Sequence, residues 1–180
     1  PNVPVVVGSL PVEAMGVIRE QAAVKRSRLV EVEEEAEFKV NLAGDHQRKN
    51  AAVVMAVIGE LKRVGWSVPD DAVRKGLENV RWPGRLETIS KEPWILLDGA
   101  HNPDAMRTVR EFLEECLQGR RLKVVFWAMA DKDIKGILSE ILPLNPRFTF
   151  TAPDLKRAAR PEEIARIAET LGAEFQICPI

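Results

Sequence analysis

Trp94-Ile95-Leu96-Leu97-Asp98-Gly99-Ala100-His101-Asn102-Pro103 is the stretch that decides the fold. Its four leading apolar residues read as a buried strand. Behind it, Ala105, Val109, Phe112 and Cys116 fall on one helical stripe, with Met106, Leu113 and Leu117 beside it. The strand therefore ends at Asp98, Gly99 permits a tight turn, and a helix starts at Asn102. Asparagine is a favoured N-cap, and proline suits the first helical position, where the backbone N–H has no intrahelical partner. In open α/β sheets, ligands bind beyond the carboxyl ends of the strands. An acid, a histidine and a helix N-terminus, which favours anions such as phosphate, thus meet where a ligand is expected.

Working outward, strands alternate with helices from about residue 86 onward. Strands are predicted near Leu86–Ile89, Trp94–Leu97, Leu122–Trp127, Arg147–Thr151 and Glu174–Ile177. Helices are predicted near Pro103–Leu117, Asp133–Leu142 and Pro161–Leu171, with Ile134, Ile137, Leu138, Ile141 and Leu142 on one stripe and Ile164, Ile167, Ala168 and Leu171 on another. This order implies an α/β domain with a mostly parallel, Rossmann-like sheet and right-handed crossovers.

The first half reads differently. Val3–Val7 is a short strand, Pro11 to about Lys25 a helix, and Leu29-Val30 a weaker extended piece. Five glutamates between Glu31 and Glu37 read as a solvated turn, not a metal site. Phe38, Val40 and Leu42 alternate with polar residues and predict a strand with one buried face. Asp45 is a candidate N-cap for a helix to about Val64, and the unbroken apolar run Ala51–Ile58 implies that this helix is buried on most sides. Pro69 opens a further helix ending near Asn79. Trp82-Pro83-Gly84-Arg85 breaks regular structure and is the candidate linker.

The bulk composition narrows the function classes. A net charge of −1, from 26 basic and 27 acidic residues, points to neither a nucleic-acid nor a membrane partner. The longest apolar run is far too short to span a bilayer, and no signal peptide is visible. Cys116 and Cys178 lack metal spacing and read as buried free thiols, which makes a reduced cytoplasmic setting the default. Trp66, Trp82, Trp94 and Trp127 are scattered and read as core or interface packing residues. A chain beginning with Pro1 inside a strand, and ending in another, is expected to be a fragment or a processed product.

Four segments carry the chemistry: Gly44-Asp45-His46-Gln47-Arg48-Lys49-Asn50-Ala51, Trp82-Pro83-Gly84-Arg85-Leu86-Glu87, Asp98-Gly99-Ala100-His101-Asn102-Pro103, and Ala128-Met129-Ala130-Asp131-Lys132-Asp133. Their order and separation resemble the folylpolyglutamate synthase / dihydrofolate synthase family of the Mur ligase superfamily. His46-Gln47, Gly99-Ala100-His101 and Trp82 resemble the folate branch more than the peptidoglycan ligases. The resemblance implies a carbon–nitrogen ligase that joins L-glutamate to a folate or dihydropteroate through an acyl phosphate, using ATP and Mg2+, with ATP lying between a larger ATPase lobe and a smaller Rossmann-like lobe. It further implies that residues 1–81 match the tail of the ATP-binding central lobe, 82–85 the linker, and 86–180 the C-terminal ligase domain, with or without its last elements.

The same resemblance gives roles to single residues. Asn50, with Gln47 three residues earlier on the same helix face, is placed on the adenine side; helix capping or a solvated face is the plainer account. Arg85 is placed on nucleotide phosphate and the reacting groups, against an interdomain salt bridge. Asp98 is placed on ribose hydroxyls, against a turn role, and His101 on the nucleotide or the reacting phosphoryl. Lys132 is the glutamate-side candidate, with Arg157 similar. Asp133 reads as a helix cap and Glu87 as structural. No Gly-x-x-x-x-Gly-Lys-Ser/Thr occurs in the sequence, and the family's metal ligands are expected outside it, so this chain alone is expected to be inactive. A monomer is expected. The alternatives are a non-catalytic nucleotide-binding module and another Mur-type amino-acid ligase.

Overall fold

The computed structural model describes residues 3–33 and 39–178. The chain divides into two compact units, Pro1–Ile89 and Ser90–Ile180.

In the first unit, β1 (Val5–Val7) and β2 (Leu29–Glu31) pair in parallel, with Val5 opposite Leu29, and α1 (Val12–Val24) connects them. Two long helices follow, α2 (His46–Arg63) and α3 (Asp70–Asn79). Ala51 and Ala52 of α2 are buried against Val32, Val40 and Leu77. Glu60 of α2 is 8% exposed and sits between two guanidinium groups, Arg28 at 3.2 Å and Arg63 at 2.9 Å. Those contacts supply the partners that a buried carboxylate requires. Lys62 pairs with Asp70, which ties the end of α2 to the start of α3.

Two expectations fail in this unit. The run around Ala51–Ile58 is not buried on most sides, because Val54 and Val57 are exposed; only the alanine side of α2 faces its neighbours. Val40 and Leu42 belong to no strand. The N–H of Asn41 goes to the carbonyl of Leu77, and its side-chain amide to Val80, so this segment serves the end of α3 instead of a sheet. Phe38 and most of the glutamate run lie outside the described residues.

In the second unit, β5 (Lys123–Phe126), β6 (Arg147–Phe150) and β7 (Glu174–Ile177) form a parallel sheet in the order β5-β6-β7. α5 (Ile134–Ile141) and α6 (Pro161–Thr170) are the crossovers, and α4 (Pro103–Leu117) packs on α5. Alternation sorts the strands: Phe126, Phe148 and Phe150 point inward and are buried, while Val125 and Arg147 point outward. Phe148 stacks on Phe150 at 5.3 Å, Phe126 meets Phe150 edge-on at 6.3 Å, and Phe175 lies 5.4 Å from Phe150. Ile137, Leu138 and Ile164 close the core from the helix side with no exposed surface. The mostly parallel α/β fold expected of this half is the one found.

β3 (Glu87–Lys91) and β4 (Trp94–Leu97) form a separate two-stranded sheet. Contrary to expectation, β4 is not buried: Ile95 and Leu97 are 43% and 49% exposed, because its hydrogen-bonded neighbour is β3 and not the parallel sheet. Of the core or interface packing expected of the tryptophans, the core role is not found. Trp66, Trp82 and Trp127 are exposed, and Trp94 lies under the guanidinium of Arg120 at 5.0 Å. Against the burial expected of both, Cys116 is half-buried and Cys178, just past the edge strand β7, is exposed; neither is in a disulfide. Among the described residues no helix is long and apolar enough to cross a membrane.

Phe148 is fully buried and stacked on Phe150. Phe148→Ala is expected to lower the stability of the second unit by about 3–5 kcal/mol. Urea unfolding followed by circular dichroism checks this, and a loss below about 1 kcal/mol contradicts the packing described.

Candidate functional site

In the first unit, the start of α2 is built on a glycine. Gly44 has φ +93°, and a Cβ there would lie 2.6 and 2.7 Å from the His46 ring and 2.9 Å from Leu86 Cδ1. Only glycine lets the backbone turn this tightly against both side chains. The first turn closes through backbone bonds, Gln47 N–H to Gly44 carbonyl at 3.0 Å and Arg48 N–H to Asp45 carbonyl at 2.9 Å. Asp45 occupies the N-cap position with helical angles and makes no side-chain cap bond, so its expected capping role is absent.

Gln47 is buried, and Asn50 donates from Nδ2 to its Oε1 at 3.1 Å. The Gln47 Nε2 lies 2.9 Å from His46 Nε2. His46, Gln47 and Asn50 therefore form one hydrogen-bonded line that ends at an exposed amide.

Arg85 closes the turn that begins at Trp82, its N–H reaching the Trp82 carbonyl at 3.3 Å. Gly84 has φ +72° and gives its N–H to Glu87 Oε2 at 2.9 Å, so Glu87 has the structural role expected of it. Arg85 is exposed on the wall of a cavity of about 640 Å3 that also includes Asn41, Ala43, Trp82 and Leu86. Within this unit no described residue pairs with its guanidinium. A cation left on a cavity wall suits an anionic ligand.

In the second unit, the residues after β4, β5 and β6 gather in three loops. The Asp98 Oδ1 accepts the Ala100 N–H at 2.7 Å, which makes a tight Asx turn. His101 donates from Nδ1 to the Gly99 carbonyl at 3.0 Å, since a carbonyl only accepts; this leaves Nε2 as the acceptor of an exposed ring. The Asn102 Oδ1 accepts the Ala105 N–H at 2.8 Å, and Pro103 occupies the first turn, the cap expected from sequence. Asp133 likewise caps α5, accepting the Gly136 N–H at 2.9 Å.

The loop after β5 is clamped to the loop after β6 by an antiparallel bridge between Met129 and Ala158, with Ala130 N–H to Arg157 carbonyl at 2.9 Å. Across it, Asp131 lies 3.5 Å from Lys132 Nζ and 3.4 Å from Arg157. One carboxylate thus holds two cations in place and leaves a net positive group. Loss of hydration pushes the Asp131 carboxyl up, but its own backbone N–H, then Lys132 and Arg157, outweigh this and hold it below its ordinary value. Sequence reasoning assigns Asp131 no role, because its partner Arg157 is 26 residues away.

Gly136 is a second residue that sequence reasoning misses. A Cβ there would meet Asp133 Oδ2 at 2.3 Å and Pro103 Cγ at 2.7 Å. Its bare backbone lets the first turn of α5 lie against the first turn of α4, which brings the Lys132 loop beside the His101 loop. The available signal is a glycine inside a helical pattern. Among the described residues no group of three or more His, Cys, Asp or Glu side chains could hold a metal.

This chain belongs to the Mur ligase family: the Mur ligase, glutamate ligase domain matches residues 84–179. Within that family it is similar to folylpolyglutamate and dihydrofolate synthases. A probable bifunctional folylpolyglutamate synthase/dihydropteroate synthase of Halobacterium salinarum is 40% identical over 134 residues, which are 74% of this chain and 16% of that protein. The dihydrofolate synthase/folylpolyglutamate synthase of Bacillus subtilis is 30% identical over 134 residues, 74% of this chain and 31% of that one. The Mycobacterium tuberculosis folylpolyglutamate synthase complexed with ADP and AMPPCP shares the fold, with TM-score 0.86 and 24% identity over 99% of this chain and 46% of that one. The chain spans less than half the length of each of these relatives.

Two outcomes test the geometry. Because the folded Asp131 is held low, its stabilising contribution is complete above the ordinary carboxyl value of about 3.9 and is lost as pH falls through the lower folded value. A carbon-13 titration is expected to place its midpoint below about 3.9, and Arg157→Ala to raise it; an unchanged midpoint in the variant removes the pair. Gly136→Ala is expected to cost roughly 1–3 kcal/mol and to shift the His101 ring resonances. Unmoved His101 signals show that the two first turns are not coupled.

Proposed function

We propose that this chain serves an ATP-dependent amide ligase that adds L-glutamate to a folate or to dihydropteroate. The observation that supports it most is the gathering of Asp98, His101 and Lys132 on adjacent loops of the second unit, in a chain of the Mur ligase family. Residues 1–81 take the part of the ATP-binding lobe's tail, 82–85 of the linker, and 86–180 of the ligase domain. In this reading the chain works as a monomer in the cytoplasm.

The chemistry is phosphoryl transfer followed by acyl transfer. A substrate carboxylate oxygen attacks the γ-phosphorus of ATP, ADP leaves, and an acyl phosphate forms. The glutamate amine then attacks the acyl carbon, loses a proton, and expels inorganic phosphate to leave an amide. Both steps gather negative charge on phosphoryl oxygens, so positioned cations and donors do most of the work.

Arg85, a cation on a cavity wall, is assigned to that developing charge. His101, its ring held through Nδ1 by the Gly99 carbonyl, presents Nε2 to the nucleotide or the reacting phosphoryl. The Asp98 carboxylate, set by its turn, takes the ribose hydroxyls. Gln47 and Asn50 take the adenine side, with Asn50 as the exposed amide. Lys132, steadied by Asp131, offers its ammonium to a glutamate carboxylate. Among the described residues no cluster of carboxylates, histidines or cysteines offers a donor set for Mg2+, and the reading places the metal ligands outside this chain. The peptidoglycan-type ligase and the non-catalytic nucleotide-binding module remain as outcomes of the test.

The test is glutamate-dependent ADP release from ATP with folate or dihydropteroate, measured on the chain alone and on the chain supplied with a P-loop lobe. No turnover is expected alone, and turnover with the lobe. Arg85→Ala is expected to reduce it about 100-fold. Turnover by the chain alone overturns the dependence on a P-loop, and wild-type rates in Arg85→Ala remove that residue from the site. Nucleotide binding without turnover under any condition indicates the binding module instead.

A further inference from the structure

The line of side chains at the start of α2 has a direction. Gln47 is 6% exposed, so both ends of its amide must find partners inside the protein. Its oxygen is committed to the Asn50 Nδ2, 3.1 Å away. The group it turns to His46 is therefore its NH2, which only donates. With the two amides in this orientation His46 Nε2, 2.9 Å away, accepts, and the neutral imidazole carries its proton on Nδ1, a buried atom beside Gly44. The ring lies in the space that Gly44 leaves open, where any Cβ would come within 2.7 Å of it.

We infer that His46 is a positioning residue for base recognition, acting on Asn50 through Gln47. The inference rests on the proposed place of Asn50 at the adenine. With one Nδ2 hydrogen held by Gln47, Asn50 keeps Oδ1 and its second N–H for a ligand. That acceptor–donor pair complements the N6 amino group and N7 of adenine. It opposes the O6 and N7 of guanine, which both accept. Replacing the acceptor at His46 by a group that cannot accept frees Gln47 to turn over. A reversed Gln47 offers its NH2 to Asn50, which must then reverse in turn and lose its match to adenine. His46 touches no base in this account; it fixes which atoms do.

The test uses the 180-residue chain with ATP and GTP as probes. Nitrogen-15 spectra of the wild type are expected to show His46 protonated at Nδ1 and bare at Nε2, a result that needs no variant. His46→Leu is expected to shift the Asn50 side-chain amide signals and to lower the ATP-over-GTP preference at least about tenfold. His46→Gln, whose Oε1 reaches the same place as an acceptor, is expected to restore both. A proton on Nε2, or Asn50 signals unmoved by His46→Leu, overturns the inference. So does a base preference that is independent of His46 while ATP still shifts Asn50, which leaves the proposed function standing. If neither nucleotide shifts Asn50 although the tautomer and the His46→Leu effect are as expected, the adenine role of Asn50 fails, and base recognition by His46 fails with it.

Discussion

The second unit depends on the register of its parallel strands, and a column of phenylalanines fixes that register. Phe126 lies opposite Phe150, and Phe148 opposite Phe175. A strand's side chains alternate with a period of two, so a slip of one residue would turn Phe148 and Phe150 to the outer face. Burial of each large apolar side chain is worth about 1.5–3 kcal/mol, which makes such a slip costly. With the register fixed, the ends of β5 and β6 are fixed, and so is the level at which the loops bearing Lys132 and Arg157 emerge. The outer face is held more weakly, by an Arg147–Glu174 pair at 3.1 Å and a Gln176–Thr149 bond at 3.1 Å.

The loops themselves are shaped by short-range polar bonds. Asp98, His101, Asn102 and Asp133 each spend a side-chain atom on backbone within three residues. Each then has a set orientation before any ligand arrives, which is the condition for electrostatic stabilisation at low reorganisation cost. Arg110 adds a longer tie, from Glu114 on its own helix to Glu140 on α5.

What could be read in the sequence follows the range of the interaction. The cap at Asn102, the turn at Asp98, the parallel strands and the apolar stripes of α5 and α6 are all set within a few residues, and periodicity and cap chemistry expose them. The exposure of β4 is not legible in its apolar run, because a strand's exposure depends on which neighbour it finds, and its neighbour is β3. Val40 and Leu42 alternate as a strand does, yet the Asn41 N–H finds Leu77 more than thirty residues away. The Asp131 bridge and the Gly136–Pro103 contact are also long-range. At the candidate site, the positions of His46, Gln47, Asn50, Arg85, Asp98, His101 and Lys132 at turns and helix starts were legible. Their partners were visible only in three dimensions.

Leu86 gives the Arg85 turn a further property. It is a non-glycine residue at φ +43°, and it is 4% exposed. A left-handed conformation costs a leucine roughly 1–2 kcal/mol, and its burial repays that cost. The turn is thus under tension, held by an apolar plug seated beside Gly44. Pulling the plug would release the tension and let Arg85 drift, so the guanidinium's placement is governed by a side chain with no charge and no reactive atom. The same plug shares with His46 the space that Gly44 leaves open, so loosening it would slacken both ends of the first unit's site together.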